Sequence, residues 1–177
     1  LVGGSNADTI KSNGGEDEID AGAGNDKIYG YVAVENVKVG KKTQKVYHYV
    51  DGADANGVVH NYATDNAVTF EFDAHDGKDT IYNAKSSDVI RIDLSPLDPY
   101  QMEADDIQYT RSGNNLVISY GKGYSKTGTI VTDTITIANY FKLDTTQVID
   151  TIEIKDSYDP DNYHTYSIQE EAGAFNR

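Results

Sequence analysis

Aspartate returns every nine residues at the start of this 177-residue chain, and each aspartate is followed two places later by isoleucine. The aspartates are Asp8, Asp17 and Asp26, and the isoleucines are Ile10, Ile19 and Ile28. Carboxylates are hard oxygen ligands of the kind that Ca²⁺ takes, together with backbone carbonyls. The spacing therefore indicates a row of calcium sites. An acidic glycine-rich linker is the alternative, but a linker has no reason to repeat Asp and Ile in register.

Each nine-residue unit must fold as a tight turn and a very short strand. Glycine and asparagine tolerate the backbone angles of a tight turn, and the strand sends its isoleucine inward because side chains alternate faces. Two units make one coil, so residues eighteen apart stack, which predicts Asp8 beneath Asp26 and Asp17 on the opposite edge. The predicted calcium ligands, here and in the later units, are Gly3, Ser5, Asp8, Gly15, Asp17, Gly22, Gly24, Asp26, Glu35, Asp76 and Asp79.

The nine-residue register continues past the third unit in a weaker form. Glu35 stands where the next aspartate is expected, and Val37 stands where the next isoleucine is expected. In one interpretation Glu35 closes the calcium site begun by Asp17. In the other, residues 32–39 form an ordinary strand with Glu35 on its solvated face. The residues support the two interpretations equally.

A second set of units follows further along the chain. Residues 74–82 fit the second half of the unit, with Asp79 and Ile81 in place, and nine residues later Asp88 takes the same position. An alternating strand at residues 68–72 precedes them. The coil is therefore predicted to resume after an interruption.

The composition narrows the classes of function. The formal net charge of −14 repels nucleic-acid phosphates, suits divalent cations and opposes compaction when no cation is bound. Cysteine is absent, so disulfide bonds are excluded. Any cross-linking of the fold would therefore have to come from calcium. No apolar run approaches membrane-spanning length, and no signal peptide is visible. The first residue is Leu, which suggests a piece of a longer protein.

Most of the chain after residue 29 is predicted to be strand, because runs of Val, Ile, Thr and Tyr alternate with polar residues and end at turn residues. Residues 46–50 and 58–62 are predicted to pair as a hairpin inserted between the two stretches of coil. The short connections between these predicted strands favour an all-β fold. Further strands are predicted over residues 89–94, 107–111, 116–120, 129–138 and 148–155, with a hairpin turn at 112–114 and helical turns only at 99–105 and 139–143.

The order of these motifs resembles the C-terminal calcium-binding part of RTX (haemolysin-type) proteins. The resemblance covers residues 3–29 and, more loosely, residues 68–155. The later motifs that carry it are residues 76–83, 87–92, 109–118 and 132–141. The resemblance implies a parallel β-roll with calcium in its turns, closed by an antiparallel β cap. It also implies export as an unfolded chain by the type I secretion machinery of a Gram-negative bacterium, to the medium or the cell surface.

The predicted organisation is a single domain over residues 1–177. Its parts are first coils over 1–38, an inserted hairpin over 39–67, a resumed coil over 68–94 and a C-terminal cap over 95–177. Two features depart from the family pattern. Residues 31–67 have no counterpart, and residues 169–177 lack a clear acidic-then-apolar export tail.

The expected function is a module that folds on meeting extracellular calcium and serves the export and stability of a larger toxin, enzyme or adhesin. Extracellular calcium modules bind with a Kd of about 10⁻⁴–10⁻³ M, so the sites would stay empty inside a cell. The alternative is adhesion to a glycan or protein partner. For that function the inserted hairpin offers aromatic side chains, namely Tyr47, Tyr49, Tyr62, His48 and His60.

An enzymatic function is not expected. The four histidines are scattered without an H-E-x-x-H zinc motif, and no G-x-S-x-G elbow is present. His48 and His60 alone are too few for a structural zinc site. Residues 121–126 lack the order of a P-loop and are interpreted as a loop between strands. The Asp-Pro bonds at 98–99 and 159–160 are predicted to be turns.

Overall fold

The computed structural model describes residues 1–95, 107–124, 130–156 and 158–171. The strands of the first half are β1 (Val2–Gly4), β2 (Thr9–Lys11), β3 (Asp17–Gly22), β4 (Lys27–Tyr29), β5 (Ala33–Val39), β6 (Lys42–His48), β7 (Gly52–Ala53) and β8 (Val59–His60). Those of the second half are β9 (Val68–Asp73), β10 (Lys78–Tyr82), β11 (Val89–Asp93), β12 (Gln108–Ser112), β13 (Asn115–Tyr124), β14 (Ile130–Ile137), β15 (Thr151–Lys155) and β16 (His164–Ser167). The helix α1 (Ile168–Glu171) follows β16. The predicted all-β fold is confirmed.

Short strands alternate along the chain between two six-stranded sheets. The first sheet has the order β1-β3-β9-β11-β15-β16, and the second has the order β12-β13-β14-β10-β4-β2. Neighbours within β1-β3-β9-β11-β15 and within β2-β4-β10-β14 pair in parallel. We call β1–β2, β3–β4 and β9–β10 the first, second and third rungs, because each rung places one strand in each sheet.

Two rows of turns join the sheets. The first edge, formed by residues 5–8, 23–26 and 74–77, leads from the first sheet to the second. The second edge, formed by residues 12–16, 63–67 and 83–88, leads back to the first sheet. Because strands stack in register, side chains at equivalent places in successive turns lie above one another along each edge.

The hydrophobic core lies between the two sheets and thickens towards the C-terminal side. Ile10 of the first rung is only partly buried, whereas Ile19 and Ile28 of the second rung are fully buried. The third rung adds Phe70 and Phe72, which are also buried. Since a fully buried large apolar side chain contributes about 1.5–3 kcal/mol, the first rung receives the least apolar stabilisation.

A lobe of residues 33–66 separates the second rung from the third. Its β5 and β6 pair antiparallel through a two-residue turn that starts at Gly40, whose φ is +63°. A positive φ at that place suits glycine in a tight hairpin turn. The predicted pairing of residues 46–50 with 58–62 is wrong, because β6 pairs with β5, and β8 pairs with β7.

The lobe leaves and returns without disturbing the stacking of the rungs. The amide of Gly30 donates to the Tyr82 carbonyl at 2.9 Å, and the amide of Asp17 donates to the Ala67 carbonyl at 3.1 Å. The predicted interruption of the coil therefore changes the path of the chain between two rungs while preserving their pairing.

The C-terminal part closes the sheets with antiparallel strands. β12, β13 and β14 form an antiparallel run in the second sheet, and β16 pairs antiparallel with β15 in the first. The predicted later strands overlap β11 to β15, but the interpretation of residues 121–126 as a loop is wrong at residues 121–124, because β13 continues to Tyr124. Neither β16 nor α1 was predicted. The predicted helical turn at 139–143 contains the 3₁₀ turn Tyr140–Lys142, and the one at 99–105 lies outside the described residues. Among the described residues, no helix has the length and apolarity needed to cross a membrane.

Candidate metal centre

A column of aspartates runs along the first edge. Asp8, Asp26 and Asp79 occupy equivalent places in successive rungs, because the residues that follow them pair in parallel. The Asp8 amide donates to Asp26 Oδ1 at 2.7 Å, and the Asp26 amide donates to Asp79 Oδ1 at 2.8 Å. The predicted stacking of Asp8 with Asp26 is confirmed, and the column extends to the third rung.

The second oxygens of two carboxylates in this column are buried without a hydrogen-bond partner among the described residues. Asp26 and Asp79 are each 1% exposed, and their Oδ2 atoms have no partner. A buried charged oxygen without compensation is costly, because it has lost its water and gained nothing in return. A cation placed against these oxygens would remove that cost.

Glycines in the turns bring backbone carbonyls close to the same carboxylates. A Cβ atom added to Gly24 would lie 2.7 Å from the Asn6 carbonyl oxygen and 2.8 Å from Asp26 Oδ1. A Cβ atom added to Gly22 would lie 2.4 Å from the Gly4 oxygen. Consecutive turns therefore approach each other closely at this edge, with carbonyl and carboxylate oxygens beside the glycines. These are the oxygen types that Ca²⁺ accepts as ligands.

Crowding and burial weaken the acidity of the carboxyls in the third rung. Burial, together with the negative charges of Asp26, Asp76 and Asp133, raises the pKa of Asp79 to about 7, although its hydrogen bond from the Asp26 amide acts in the opposite direction. Burial likewise raises the pKa of Asp76 to about 6, with contributions from Asp73, Asp20 and Asp133. Because burial is the largest cause of both shifts, they show that an ionised carboxylate is costly at these positions unless a cation lies beside it.

Asp133 joins this acidic group and was not among the predicted ligands. It lies in β14, and its carboxylate accepts the amides of His75 at 2.8 Å and Gly77 at 3.2 Å. Its signal in the sequence was the tripeptide Asp133-Thr134-Ile135, which repeats Asp8-Thr9-Ile10. The strand pairing places Asp133 opposite Gly77 rather than opposite Asp79, because Thr134 pairs with Lys78.

Tyr120 approaches the same group from the core. Its side chain is fully buried, and its hydroxyl has no hydrogen-bond partner among the described residues. Burial raises its pKa well above the ordinary value, and the nearby charges of Asp76, Asp133 and Asp79 add to that rise. Tyr120 was predicted only as the last residue of a strand over residues 116–120, so the position of its hydroxyl beside the aspartates was missed.

Gly15 lies in the second edge and Asp17 directly follows that edge at the start of β3, and the structure brings neither to the aspartate column. Asp17 begins β3 opposite Val68, and the Gly15 amide donates to Asn66 Oδ1 at 3.0 Å. One buried carboxylate oxygen, Asp17 Oδ2, has no partner among the described residues.

Glu35 lies in the lobe, and the interpretation in which it closes the Asp17 site is wrong. It belongs to β5, where its carboxylate contacts His48 Nε2 at 3.2 Å and accepts the Ala55 amide at 3.2 Å. The ordinary-strand alternative describes it better, although its side chain is partly covered rather than fully solvated.

The predicted ligands thus divide by position. The structure places Gly3, Ser5, Asp8, Gly22, Gly24, Asp26, Asp76 and Asp79 in or beside the turns of the first edge. Within the described residues, no three His, Asp or Glu side chains converge as a ready set of ligands for one metal ion. An ion at this edge would therefore need backbone carbonyls in addition to one or two carboxylates, which calcium coordination allows.

Comparison with known proteins agrees with this geometry for the first two rungs. Residues 2–31 match the family model of the RTX calcium-binding nonapeptide repeat (4 copies). RTX calcium-binding repeats bind Ca²⁺, are generally non-catalytic and are typical of secreted proteins of Gram-negative bacteria. No curated protein matches the chain. The predicted resemblance is confirmed for the segment that contains Asp8, Asp17 and Asp26.

Proposed function

We propose that this chain, whose residues 2–31 match RTX calcium-binding nonapeptide repeats, is a module that folds when it meets extracellular calcium. By folding outside the cell it would serve the export and stability of a larger toxin, enzyme or adhesin. The observation that carries the proposal is the pair Asp26 and Asp79, whose buried Oδ2 atoms lack partners in consecutive rungs.

The proposed ligands follow the first edge. Asp8, Asp26 and Asp79 supply carboxylate oxygens, and the close turns supply carbonyl oxygens such as that of Asn6. Asp76 and Asp133 add negative charge at the third rung. Calcium would supply the positive charge that these residues lack, and Asp26 and Asp79 would keep their hydrogen bonds from amides of the preceding rung.

The energy available from calcium is comparable with the stability of a domain. At a calcium concentration of about 100 times Kd, one site contributes about 2.7 kcal/mol. Two or three such sites would contribute roughly 5–8 kcal/mol, against a typical domain stability of about 5–15 kcal/mol. The dependence should be greatest at the first rung, where Ile10 is only partly buried.

Export in an unfolded state is the proposed use of this dependence. At a net charge of −14, the carboxylates repel one another when no cation is present, which opposes compaction. The chain also has no cysteine that could form a disulfide. A chain that stays unfolded at the low calcium concentration of the cytosol suits passage through the type I secretion machinery. It would then fold at the higher concentration outside.

Circular dichroism before and after calcium chelation tests this function. We expect a largely disordered spectrum in chelator, a β-rich spectrum after calcium is added, and a weaker response to Mg²⁺, which demands near-octahedral geometry. A β-rich spectrum that survives chelation unchanged would contradict the proposal.

The lobe supports a second candidate function, binding of a glycan or protein partner. Its exposed apolar side chains are Val34, Val39, Val46, Tyr47, Val58 and Val59. An isolated two-stranded hairpin is marginally stable in water, and exposed apolar clusters often mark interaction sites. However, Tyr62 stacks on His48 at 4.0 Å, which leaves Tyr47, 52% exposed, as the better aromatic contact.

A glycan array addresses the second candidate directly. The intact chain and a Tyr47→Ser variant would be applied in saturating calcium. Loss of a specific glycan signal in the variant would support sugar binding by the lobe. The absence of any signal for the intact chain would exclude the arrayed glycans and leave a protein partner to be tested.

A further inference from the structure

One lysine is fully buried in a turn of the second edge. Lys85 is 0% exposed, and its ammonium donates to the Asn66 carbonyl at 2.6 Å and to Asp88 Oδ1 at 2.5 Å. Asn66 belongs to the preceding turn of that edge, and Asp88 belongs to the same turn as Lys85. The ammonium therefore bridges two consecutive turns.

Asp88 repeats the arrangement of the aspartate column on the opposite edge. Its Oδ1 accepts the amide of Val68 from the preceding rung at 3.0 Å, just as Asp79 Oδ1 accepts the amide of Asp26. The two aspartates differ in what lies beside the second carboxylate oxygen. Asp88 Oδ2 accepts the Lys85 amide at 2.9 Å, whereas Asp79 Oδ2 has no partner among the described residues.

The groups around the ammonium are those expected around a calcium ion between two turns. They are a partly buried backbone carbonyl from one turn and a fully buried carboxylate from the next. A carboxylate and a carbonyl are also typical oxygen ligands of Ca²⁺. Lys85 brings one positive charge, half that of Ca²⁺, and because its ammonium is covalently attached to the chain, no free ion has to bind there.

We infer that Lys85 is an internal cation that takes the place of a calcium ion between the turns that contain Asn66 and Asp88. The second edge therefore closes without calcium at this level, and the calcium response belongs to the first edge and to the N-terminal rungs. This inference rests on the proposed function, because it assigns which edge takes the ion.

Lys85 and Asp88 could also be described as an ordinary buried ion pair within one turn. The hydrogen bond from Lys85 to the Asn66 carbonyl distinguishes the two descriptions. A pair confined to its own turn would need only Asp88, three residues after Lys85. The bond to the Asn66 carbonyl joins the pair to the turn by which the lobe returns to the sheet, and the same residue holds the Gly15 amide through its Oδ1 at 3.0 Å. Lys85 thus closes the edge between rungs.

Calcium titration by calorimetry on the full chain tests the inference, with folding followed by circular dichroism in the same samples. The variants are Asp88→Asn, Asp79→Asn and Lys85→Ala. Lys45→Ala serves as the matched control, because Lys45 is exposed on the lobe and its loss changes the net charge equally. We expect Asp79→Asn to bind fewer ions or to bind at least about tenfold more weakly. Asp88→Asn and Lys45→Ala should bind as many ions as the intact chain.

Lys85→Ala should bind one calcium ion more than the intact chain, because the vacated position keeps the Asn66 carbonyl and the Asp88 carboxylate. The inference is overturned if Asp88→Asn loses an ion, or if Lys85→Ala takes up no additional ion whether or not it folds. An intact chain that binds no calcium would instead refute the proposed function, and the two failures are therefore distinguishable.

Discussion

The amide of Asp8 donates to Oδ1 of Asp26 at 2.7 Å, although the two residues lie 18 positions apart in the chain. The same bond joins Asp26 to Asp79, which lie 53 positions apart because the lobe intervenes. Asp26 and Asp79 thus each fix the preceding rung through Oδ1, and their Oδ2 atoms are the proposed ligands of a cation. Substitutions can separate the structural role from the proposed ion-binding role.

Two substitutions of Asp26 separate these roles. Asp26→Asn keeps an oxygen for the Asp8 amide but removes the charge, so we expect calcium affinity to fall at least about tenfold, or about 1.4 kcal/mol. Asp26→Ala also leaves the Asp8 amide unpaired and should cost about 1–3 kcal/mol more in stability. Calcium titration and urea unfolding measure the two effects. Asp65→Asn, at an exposed position of the lobe, is the control, and equal affinity in Asp26→Asn would refute a role for its charge.

The close approach of consecutive turns at Gly24 can be tested by adding a single methyl group there. Gly24→Ala would place a Cβ atom 2.7 Å from the Asn6 carbonyl oxygen, so we expect a loss of about 1–3 kcal/mol in the free energy of unfolding with calcium present. Gly52→Ala is the matched control, because no atom lies within 4 Å of its added Cβ. Urea unfolding of both variants measures the difference, and equal stability would show that the turns are further apart than described.

Protons should compete with calcium in the third rung. The pKa of Asp76 is raised to about 6 and that of Asp79 to about 7, above the ordinary value of 3.8. In the calcium-free folded chain, their protonation therefore contributes stability that is fully present below about pH 4 and is lost as the pH rises through about 6–7. Calcium binding requires the ionised carboxylates, so its affinity should change in the opposite direction.

In an osmolyte that keeps the calcium-free chain folded, we expect calcium affinity to rise at least about tenfold between about pH 5.5 and about pH 7.5 and then to level off. Calorimetry in buffers of different ionisation enthalpy would also count the protons released on binding. Asp79→Asn should show a shallower pH dependence, because one competing carboxyl is gone. An affinity that stays constant across this range would contradict the assignment of Asp76 and Asp79 to the calcium site.

Shortening the lobe should leave the rungs intact. Glu35 and Val46 are paired across β5 and β6, so residues 36–45 can be replaced by Asn-Gly, which favours a two-residue hairpin turn. We expect the calcium-dependent folding to shift by less than about 0.5 kcal/mol, as for surface changes. Deletion of residues 33–66 is the contrasting variant, since it also removes the Asn66 carbonyl that Lys85 binds, and it should fold poorly. Equal loss of folding in both variants would show that the β5–β6 hairpin is part of the core.

The nine-residue spacing was sufficient to predict that Asp8 stacks with Asp26, because the turns between them are short and their strands start in register. Asp79 was predicted as a ligand of the resumed coil, but its place above Asp26 depends on the lobe returning the chain in register. Asp133 escaped this reasoning. Its strand follows an antiparallel hairpin, and its register relative to β10 depends on that hairpin rather than on a nine-residue count.

Lys85 and the lobe could not be predicted from spacing for a different reason. In the sequence, Lys85 precedes two serines and has the composition of a solvated turn, whereas its burial depends on Asn66 arriving from the far side of the lobe. The lobe itself contains several apolar runs of similar length. Pairing two of them required a choice of turn, and the short turn at Gly40 forms in place of the longer one.

The exit of the chain at Gly30 and its return at Ala67 lie at one edge, between rungs that stay paired. In a scaffold of this kind, another loop or a small folded domain could be inserted at this position without changing how the rungs pair. If calcium governs the stack, whatever is grafted there would be displayed outside the cell on a support that assembles only after export.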